Sequence, residues 1–241
     1  MIEPAPYSGR VKIFSDGADV ASMVRLAANP LIQGFTTNPT LMRQAGVSDY
    51  RAFASELLAQ IRDKPISFEV FADELDEMES QAREIAGWGP NVYVKIPVTN
   101  CAARSAAEVI HRLASSGVRV NVTAILTLEQ VSTVCAALAG GAPSVVSVFA
   151  GRIADTGREP VPLMREALDI CRRHGAQIEL LWASPREVLN IAQADALGCD
   201  IITVTPDLLK KMSLFGKDLG EFSLETVQMF RRDAEAAGFE L

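Results

Sequence analysis

The sequence has little histidine and no long apolar run. Its two histidines, His111 and His174, lie far apart, so we expect no metal site, because zinc and iron centres draw on clustered ligands. No apolar run approaches the roughly 20 residues that a membrane-spanning helix needs. The stretch MIEPAPYSGRVKIF also has no long apolar segment of the signal-peptide kind. We therefore predict a cytoplasmic protein without a membrane partner.

Paired cysteines are absent as well, since no CxxC motif occurs. We interpret the four cysteines as reduced thiols, as expected in the cytoplasm: Cys101, Cys135, Cys171 and Cys199. The formal net charge is -7, and a negative field does not attract a polyphosphate, so the charge disfavours a nucleic-acid partner. A small anionic substrate held by a few arginines stays open.

Eight short apolar runs, rich in β-branched residues, recur along the 241 residues. These runs cover residues 11–17, 32–38, 66–72, 92–98, 119–126, 145–152, 177–184 and 201–206. Segments with helical periodicity, such as DYRAFASELLAQIRD, separate them, and this alternation indicates parallel βαβ units. Eight units of roughly 30 residues predict an α/β fold, the (β/α)8 TIM barrel.

The alternative architecture is an open, doubly wound parallel sheet. Such a sheet usually carries a glycine-rich nucleotide loop, and neither GxGxxG nor GxxxxGK[ST] occurs, so the barrel is favoured. We predict a single domain over residues 1–241, with a barrel core at about 11–212 and a helical tail at 213–241. The last helical segment, SLETVQMFRRDAEAAG, has no place in the barrel count. We expect it to pack on the barrel or to reach a neighbouring subunit.

Polar residues occur late in the apolar runs, where barrel enzymes carry their chemistry. They are Asp16, Thr37, Asn38, Glu69, Lys95, Asn121, Thr123, Ser147, Arg152, Ser184 and Thr205. For a lone serine or threonine, a hydrogen bond at a strand end is a sufficient structural explanation. Lys95 and Glu69 are flanked by apolar residues, and the structural alternative is a salt bridge inside the barrel, which is costly to desolvate.

A lysine within a buried strand, as in VYVKIPVTN, favours covalent chemistry. An amine becomes a nucleophile where desolvation favours its neutral form, and it then attacks a ketone or aldehyde to form a Schiff base. The protonated imine withdraws electrons, so a neighbouring C–C bond breaks or forms without a metal. Acid–base partners are needed. Glu69 with Thr123, acting through a water, is the first candidate set, and Asp16 is the second.

Two segments carry a family resemblance. GFTTNPTLM on the second predicted strand and VYVKIPVT on the fourth resemble the signature segments of the transaldolase family, which includes the smaller fructose-6-phosphate aldolase-type enzymes. The resemblance extends from FSDGADV to IITVTPDLLKKM and so spans the whole predicted barrel. It implies an enzyme that acts on sugar phosphates and needs no cofactor. The chain is built like the small group, whose members are decamers, so we expect a homo-oligomer.

The resemblance also implies roles for individual residues. The implied catalytic residues are Lys95 as the Schiff-base lysine, Asp16, Glu69 and Thr123. The implied substrate contacts are Thr37, Asn38, Asn121, Ser147 and Phe149. The implied phosphate ligands are Arg152, Ser184 and Arg186.

The phosphate site has a physical argument of its own. Phosphate sites in barrels commonly use the loops after strands seven and eight, often at a helix N-terminus. In ASPRE, Ser184 is a typical helix cap and Pro185 a typical first residue, so we predict a helix start here, with Arg186 aimed at the phosphate. Trp182 stands where the family usually has a small residue. It either narrows the pocket or packs outward.

Two positions bear on what happens to the bound three-carbon unit. Aldolase-type members have glutamine where this chain has Glu69 and tyrosine where it has Phe149. The resemblance therefore favours transfer of a dihydroxyacetone unit to an acceptor sugar phosphate over its release. The alternatives are a fructose-6-phosphate aldolase-like lyase and a catalytically silent barrel that binds sugar phosphates.

Overall fold

The computed structural model describes residues 7–239, and in them eight parallel strands form a closed barrel. The strands are β1 (Lys12–Asp16), β2 (Ile32–Thr36), β3 (Ile66–Glu69), β4 (Val92–Pro97), β5 (Val120–Ile125), β6 (Ser144–Val148), β7 (Ile178–Trp182) and β8 (Ile201–Val204). The helices are α1 (Val20–Ala27), α2 (Pro39–Gln44), α3 (Tyr50–Gln60), α4 (Leu75–Ala86), α5 (Ala107–Ser115), α6 (Leu128–Leu138), α7 (Ala150–Asp155), α8 (Pro160–His174), α9 (Leu189–Leu197), α10 (Pro206–Lys211) and α11 (Leu219–Ala237), with a 3-10 helix at Met212–Leu214. The predicted (β/α)8 barrel is confirmed.

The strands follow chain order around the barrel, and β8 closes on β1. Because every pairing is parallel, the carboxyl ends of all eight strands meet at one end of the barrel. The register places Lys95 of β4 opposite both Glu69 of β3 and Asn121 of β5. Strand pairing alone thus brings the buried lysine and the buried glutamate together.

Two helices near the carboxyl end begin at signals that the sequence contains. Asn38 follows β2 and caps α2, since its Oδ1 accepts a hydrogen bond from the Leu41 N–H at 3.0 Å, and Pro39 is the first helical residue. Asp49 caps α3 by accepting from the Ala52 N–H at 2.9 Å. Such caps satisfy the free N–H groups of a first turn and here fix where each helix leaves the barrel.

The predicted helix start at Ser184 is wrong, because α9 begins only at Leu189. Ser184 has a φ of 57°, in the left-handed region, whereas a helix cap is normally extended. The Asn190 side chain forms a turn instead, with its Oδ1 accepting from the N–H groups of Arg186 at 2.8 Å and Glu187 at 3.0 Å. Arg186 therefore lies in a loop.

The described chain divides into two compact units, residues 9–209 with the barrel strands and a small unit of residues 7–8 and 210–239. In the small unit, Asp218 caps α11 by accepting from the Glu221 N–H at 2.9 Å. None of the helices in residues 7–239 is long and apolar enough to cross a membrane. The single domain, the homo-oligomer and the cytoplasmic location stay predictions.

An apolar layer crosses the middle of the barrel. Phe14 of β1 packs there with Val145, Leu181, Ala183 and Ile201. The Phe14 ring occupies the space beside Gly34 of β2, so a Cβ at position 34 would lie 2.5 Å from the Phe14 Cζ atom. A glycine inside a strand often marks such a close approach. Glycine is required here by packing.

We expect Gly34→Ala to destabilise the fold by about 1–3 kcal/mol, because the new methyl group overpacks the apolar layer. Urea unfolding of the variant and the wild type measures the loss. Gly89→Ala is the matched control, since a Cβ there would meet its neighbours at 3.4 Å, an ordinary contact. Equal stability of the two variants would contradict the requirement for space beside Phe14.

Candidate active site

A cavity of about 490 Å³ opens at the carboxyl end of the barrel, and every strand contributes to its wall. The strand residues that line it are Asp16, Thr36, Glu69, Lys95, Thr123, Ala124, Ser147, Leu181 and Thr203. Residues after the strands complete the wall: Asn38, Pro39, Thr40, Leu41, Gln44, Phe149, Arg152, Ala183 and Ser184. Charged groups of both signs and several hydroxyls thus converge on one space.

Two further cavities, of about 220 and 570 Å³, include residues at the amino ends of the strands. Both are lined by Lys12 and Glu179, which form an ion pair at 2.5 Å. Three residues of the apolar layer, Phe14, Val145 and Ile201, line the smaller one. The four catalytic candidates, Asp16, Glu69, Lys95 and Thr123, all line the carboxyl-end cavity, which is therefore the candidate active site.

Lys95 is 7% exposed, and its ammonium has two partners. Its Nζ donates a hydrogen bond to the Thr37 carbonyl oxygen at 2.8 Å and lies 3.2 Å from Oε2 of Glu69. A buried charge is tolerated only where it is paired and hydrogen-bonded. The lysine inside the apolar strand is thus held by one carbonyl and one carboxylate at the floor of the cavity.

Thr37 has a different place from the one expected. Its side chain donates to the Ser67 carbonyl oxygen at 2.9 Å and is fully buried, so only the backbone carbonyl of Thr37 serves the site. Thr36, one residue earlier, lines the cavity. The alternation of side chains along a strand explains the difference, because the run GFTTN does not itself reveal which threonine faces inward.

Asp16 accepts a hydrogen bond from the Thr36 hydroxyl at 2.7 Å, and the Asn38 amide nitrogen lies 3.4 Å from its other oxygen. The hydroxyls of Thr36 and Thr203 are 2.5 Å apart. Because Thr36 gives its proton to Asp16, the Thr203 hydroxyl is the donor in this second bond. The sequence does not single out Thr36 and Thr203, since Thr36 stands next to Thr37 in GFTTN and Thr203 is a single hydroxyl residue in an apolar strand.

Burial raises the pKa of the Asp16 carboxyl above its ordinary value of 3.8. The charge of Lys95 and the hydrogen bonds from Thr36 and Asn38 act against this rise. The negative charge of Glu69 acts with the burial. Desolvation dominates the balance, so Asp16 holds a proton more tightly than an exposed aspartate does.

Thr123 and Ala124 both line the cavity although they are consecutive in β5. The pairing of β5 with β6 is irregular between Val122 and Ile125, and Ala124 has a φ of 63°. A bulge re-aims side chains that would otherwise alternate. A strained conformation of a non-glycine residue is also common at functional sites.

A polar layer lies below the lysine. Ser147 donates to Asn121 Oδ1 at 2.6 Å, and the Asn121 amide donates to Ser67 Oγ at 3.0 Å. Asn121 is fully buried and does not line the cavity. Of the expected substrate contacts, Asn121 is therefore placed to orient Ser147, which itself faces the cavity.

The phosphate candidates lie on α7 and on the loop after β7, which touch each other. Arg152 lines the cavity with its guanidinium carbon 5.1 Å from the centre of the Phe149 ring. Ser184 also lines the cavity, and its carbonyl oxygen presses on Gly151, where a Cβ would lie only 1.5 Å away. Glycine is required at 151 for α7 and the loop after β7 to approach this closely.

Arg186 does not line the cavity. Its Nε lies 2.9 Å from Oδ1 of Asp155, and its Nη2 contacts Oδ2 of the same carboxylate. This bidentate pair lowers the pKa of Asp155 and raises that of Arg186. The carboxylate thus occupies the donors that the sequence suggested for a phosphate.

Trp182 packs outward. It is fully buried and does not line the cavity, whereas its neighbours Leu181 and Ala183 do. The indole therefore fills space outside the strand wall, and it does not narrow the cavity.

We expect Asp16→Asn to raise the melting temperature at neutral pH. The pKa of Asp16 is raised in the folded state, so its stabilising contribution is full below the ordinary value of about 4 and is lost as the pH rises through the folded-state pKa. Asparagine cannot ionise and avoids that loss. Thermal unfolding at several pH values should show a gain that shrinks as the pH falls toward 4.

The control is Asp155→Asn, for which the opposite sign is expected, because the Arg186 partner lowers the pKa of Asp155. An Asp16→Asn protein that melts below the wild type at neutral pH would contradict this account of the Asp16 environment.

Comparisons with known proteins identify the family of this chain. The family model described as "Transaldolase/Fructose-6-phosphate aldolase" matches residues 13–241. A "Probable transaldolase" of Dehalococcoides mccartyi is 36% identical over 202 residues, covering 84% of this chain and 90% of the relative. A "Probable transaldolase" of Streptococcus agalactiae is 36% identical over 216 residues, covering 90% of this chain and 95% of the relative.

A solved structure from Burkholderia cenocepacia shares the fold alone. It has a TM-score of 0.56 and 13% identity, and the match covers 92% of this chain and 94% of that one. The family match over nearly the whole barrel and the curated relatives carry the assignment: this chain belongs to the transaldolase/fructose-6-phosphate aldolase family.

Proposed function

We propose that the protein transfers a dihydroxyacetone unit between sugar phosphates through a Schiff base on Lys95. The observation that carries the proposal is the Lys95 ammonium, buried in the cavity between the Thr37 carbonyl and the Glu69 carboxylate. Family membership supports aldol chemistry on a sugar phosphate. The donor class is a ketose phosphate such as fructose 6-phosphate.

Schiff-base formation begins with loss of a proton from the lysine. Glu69 Oε2, 3.2 Å from Nζ, is placed to take that proton. The neutral amine attacks the C2 carbonyl of the ketose, and the resulting carbinolamine loses water. Glu69 and Thr123, which line the same cavity, shuttle the protons of this dehydration through a water.

Asp16 serves the breaking C3–C4 bond. The carboxylate takes the proton of the C4 hydroxyl as the aldehyde leaves, and it returns a proton when the acceptor aldehyde is attacked. The raised pKa of Asp16 suits this role, because an acid–base catalyst works best with a pKa near the working pH. The Thr36 hydroxyl keeps one carboxylate oxygen fixed.

The phosphate is held at the rim by Arg152 and Ser184, which line the cavity. Arg186 joins them by exchanging the Asp155 carboxylate for the phosphate, since its two donors fit either anion. A pair between exposed side chains contributes little net stability, so the exchange is inexpensive.

Transfer is favoured over release because of Phe149. The enamine that remains on Lys95 needs a proton to leave as free dihydroxyacetone, and a phenylalanine ring at the cavity wall supplies none. The intermediate then waits for an acceptor aldose phosphate. A lyase that releases dihydroxyacetone is the alternative activity. No step requires a metal or an organic cofactor, and we propose that none is used.

Borohydride reduction of the protein mixed with fructose 6-phosphate should leave a reduced three-carbon adduct on Lys95, because reduction fixes the imine to its lysine. Peptide mass spectrometry locates the adduct. Lys12→Arg is the matched control, since Lys12 is also a strand lysine paired with a glutamate but lies at the other end of the barrel. That variant should keep the adduct, and Lys95→Arg should lose it.

An adduct on another lysine would contradict the assignment of Lys95. If no lysine is modified with any of a panel of ketose phosphates, the silent-barrel alternative is supported.

Phe149→Tyr should raise the release of free dihydroxyacetone without an acceptor by about tenfold or more, because a phenol at this position can protonate the enamine. An enzyme-coupled assay for dihydroxyacetone measures the release. Phe230→Tyr is the control, since Phe230 is exposed on α11 and does not line the cavity. Rapid acceptor-free release by the wild type would instead support the lyase.

A further inference from the structure

The backbone hydrogen bonds between β2 and β3 stop before they reach Glu69, the last residue of β3. The strands pair at Phe35 with Ile66 and at Thr36 with Ser67. The Thr37 N–H still donates to the Ser67 carbonyl at 3.2 Å. In a parallel ladder that continued, the next bond would run from the Glu69 N–H to the Thr37 carbonyl.

That carbonyl is already engaged, because it accepts from Lys95 Nζ at 2.8 Å. The backbone of Val70 pairs with the other neighbour, since its N–H donates to the Lys95 carbonyl at 3.1 Å. On the β2 side, Glu69 therefore has an N–H and a carbonyl without a strand partner. A buried backbone group without a hydrogen bond is costly.

The hydroxyl of Tyr50 satisfies both groups. It accepts from the Glu69 N–H at 2.7 Å and donates to the Glu69 carbonyl at 3.1 Å. Tyr50 is the first residue of α3. The centre of its ring lies 4.6 Å from that of Phe71 and 5.3 Å from that of Trp88. Aromatic packing on one side and the Asp49 cap on the other hold the hydroxyl in place.

We propose that Tyr50 is a positioning residue of the reaction. Its hydroxyl makes the two hydrogen bonds that β2 would otherwise make to the Glu69 backbone. The Thr37 carbonyl therefore stays free to hold the ammonium of Lys95. The inference rests on the proposed function, in which Lys95 and Glu69 are the reacting pair. Burial raises the pKa of the Tyr50 phenol, so the hydroxyl keeps the proton that it donates.

Without this hydroxyl, the Glu69 N–H competes with Lys95 for one carbonyl, or water enters between the strands. Either change displaces Lys95 Nζ from Glu69 Oε2, which now lies 3.2 Å away. The first proton transfer of the proposed reaction takes place between these two atoms. Catalytic rates are sensitive to displacements of this kind. Substrate contacts elsewhere in the cavity are untouched.

Tyr50→Phe removes the hydroxyl and keeps the ring. The rate at which borohydride traps the adduct on Lys95 should fall roughly tenfold, with kcat reduced similarly and KM little changed. Tyr93→Phe is the matched control, because Tyr93 lines the small cavity at the opposite end of the barrel. It should trap at the wild-type rate.

A double-mutant cycle separates positioning from general loosening of the fold. In the Glu69→Gln background, Tyr50→Phe should cost clearly less than in the wild type, because the carboxylate that it orients is gone. Equal losses in the two backgrounds, or a Tyr50→Phe protein that traps at the wild-type rate, would overturn the proposal.

Trapping of the wild-type protein distinguishes a failure of the proposed function from a failure of the role of Tyr50. If wild-type Lys95 is not trapped, the proposed function fails and kinetics no longer bear on Tyr50. The hydrogen bond from the Glu69 N–H to the Tyr50 hydroxyl is then tested by amide hydrogen exchange in the wild-type protein. The same measurement is used if Tyr50→Phe does not fold. A Glu69 amide as protected as that of Val70 supports this hydrogen bond, and exchange at the rate of an exposed amide overturns it.

Discussion

The burial of one ammonium group organises this end of the barrel. Lys95 sits in a strand whose neighbours are apolar, and desolvating its charge is costly unless partners replace the lost water. The Thr37 carbonyl and the Glu69 carboxylate are those partners. The carbonyl, however, is the group that would otherwise continue the ladder to β3. Accommodating the lysine therefore opens a gap between two strands, and the Tyr50 hydroxyl closes it from a helix outside the barrel. The burial of Lys95 inside the cavity thus depends on Tyr50, a residue that does not line the cavity.

The barrel interior contains an apolar layer, a layer of hydrogen-bonded polar side chains and a layer with the charged groups. Phe14, packed on Gly34, belongs to an apolar layer with Val145, Leu181, Ala183 and Ile201. Above it, Asn121 links Ser67 and Ser147 without facing the cavity. The uppermost layer contains the charged groups Asp16, Glu69 and Lys95, which come from β1, β3 and β4. At this end of the barrel lie a carboxyl with a raised pKa and two residues in left-handed conformations, Ala124 and Ser184, and such strained residues are common at functional sites.

The fold was predictable because strands buried on both faces form apolar runs of characteristic length, and eight such runs alternate with helical segments. The polar residues that interrupt these runs also indicated where the site lies. Three features depended on tertiary structure. The run GFTTN contains two adjacent threonines, and only the register decides that Thr36 faces the cavity while Thr37 offers its carbonyl. The local signals of ASPRE favour a helix, but the contact of Ser184 with Gly151 overrides them. Tyr50 lies in a helix and shows no sequence signal for its bond to Glu69.

The rim combines a rigid part with an exchangeable one. Ser184 is held by its contact with Gly151 and by its strained backbone, and Arg152 stacks on Phe149, so these two phosphate candidates are preorganised. Arg186 is different, because Asp155 already supplies the anion that its guanidinium prefers. Under the proposed function, a phosphate that reaches the rim competes with the Asp155 carboxylate for the Arg186 guanidinium. A sugar without a phosphate would leave the pair intact. Under the proposed function, the ion pair of Arg186 with Asp155 is therefore a means of favouring phosphorylated substrates over free sugars.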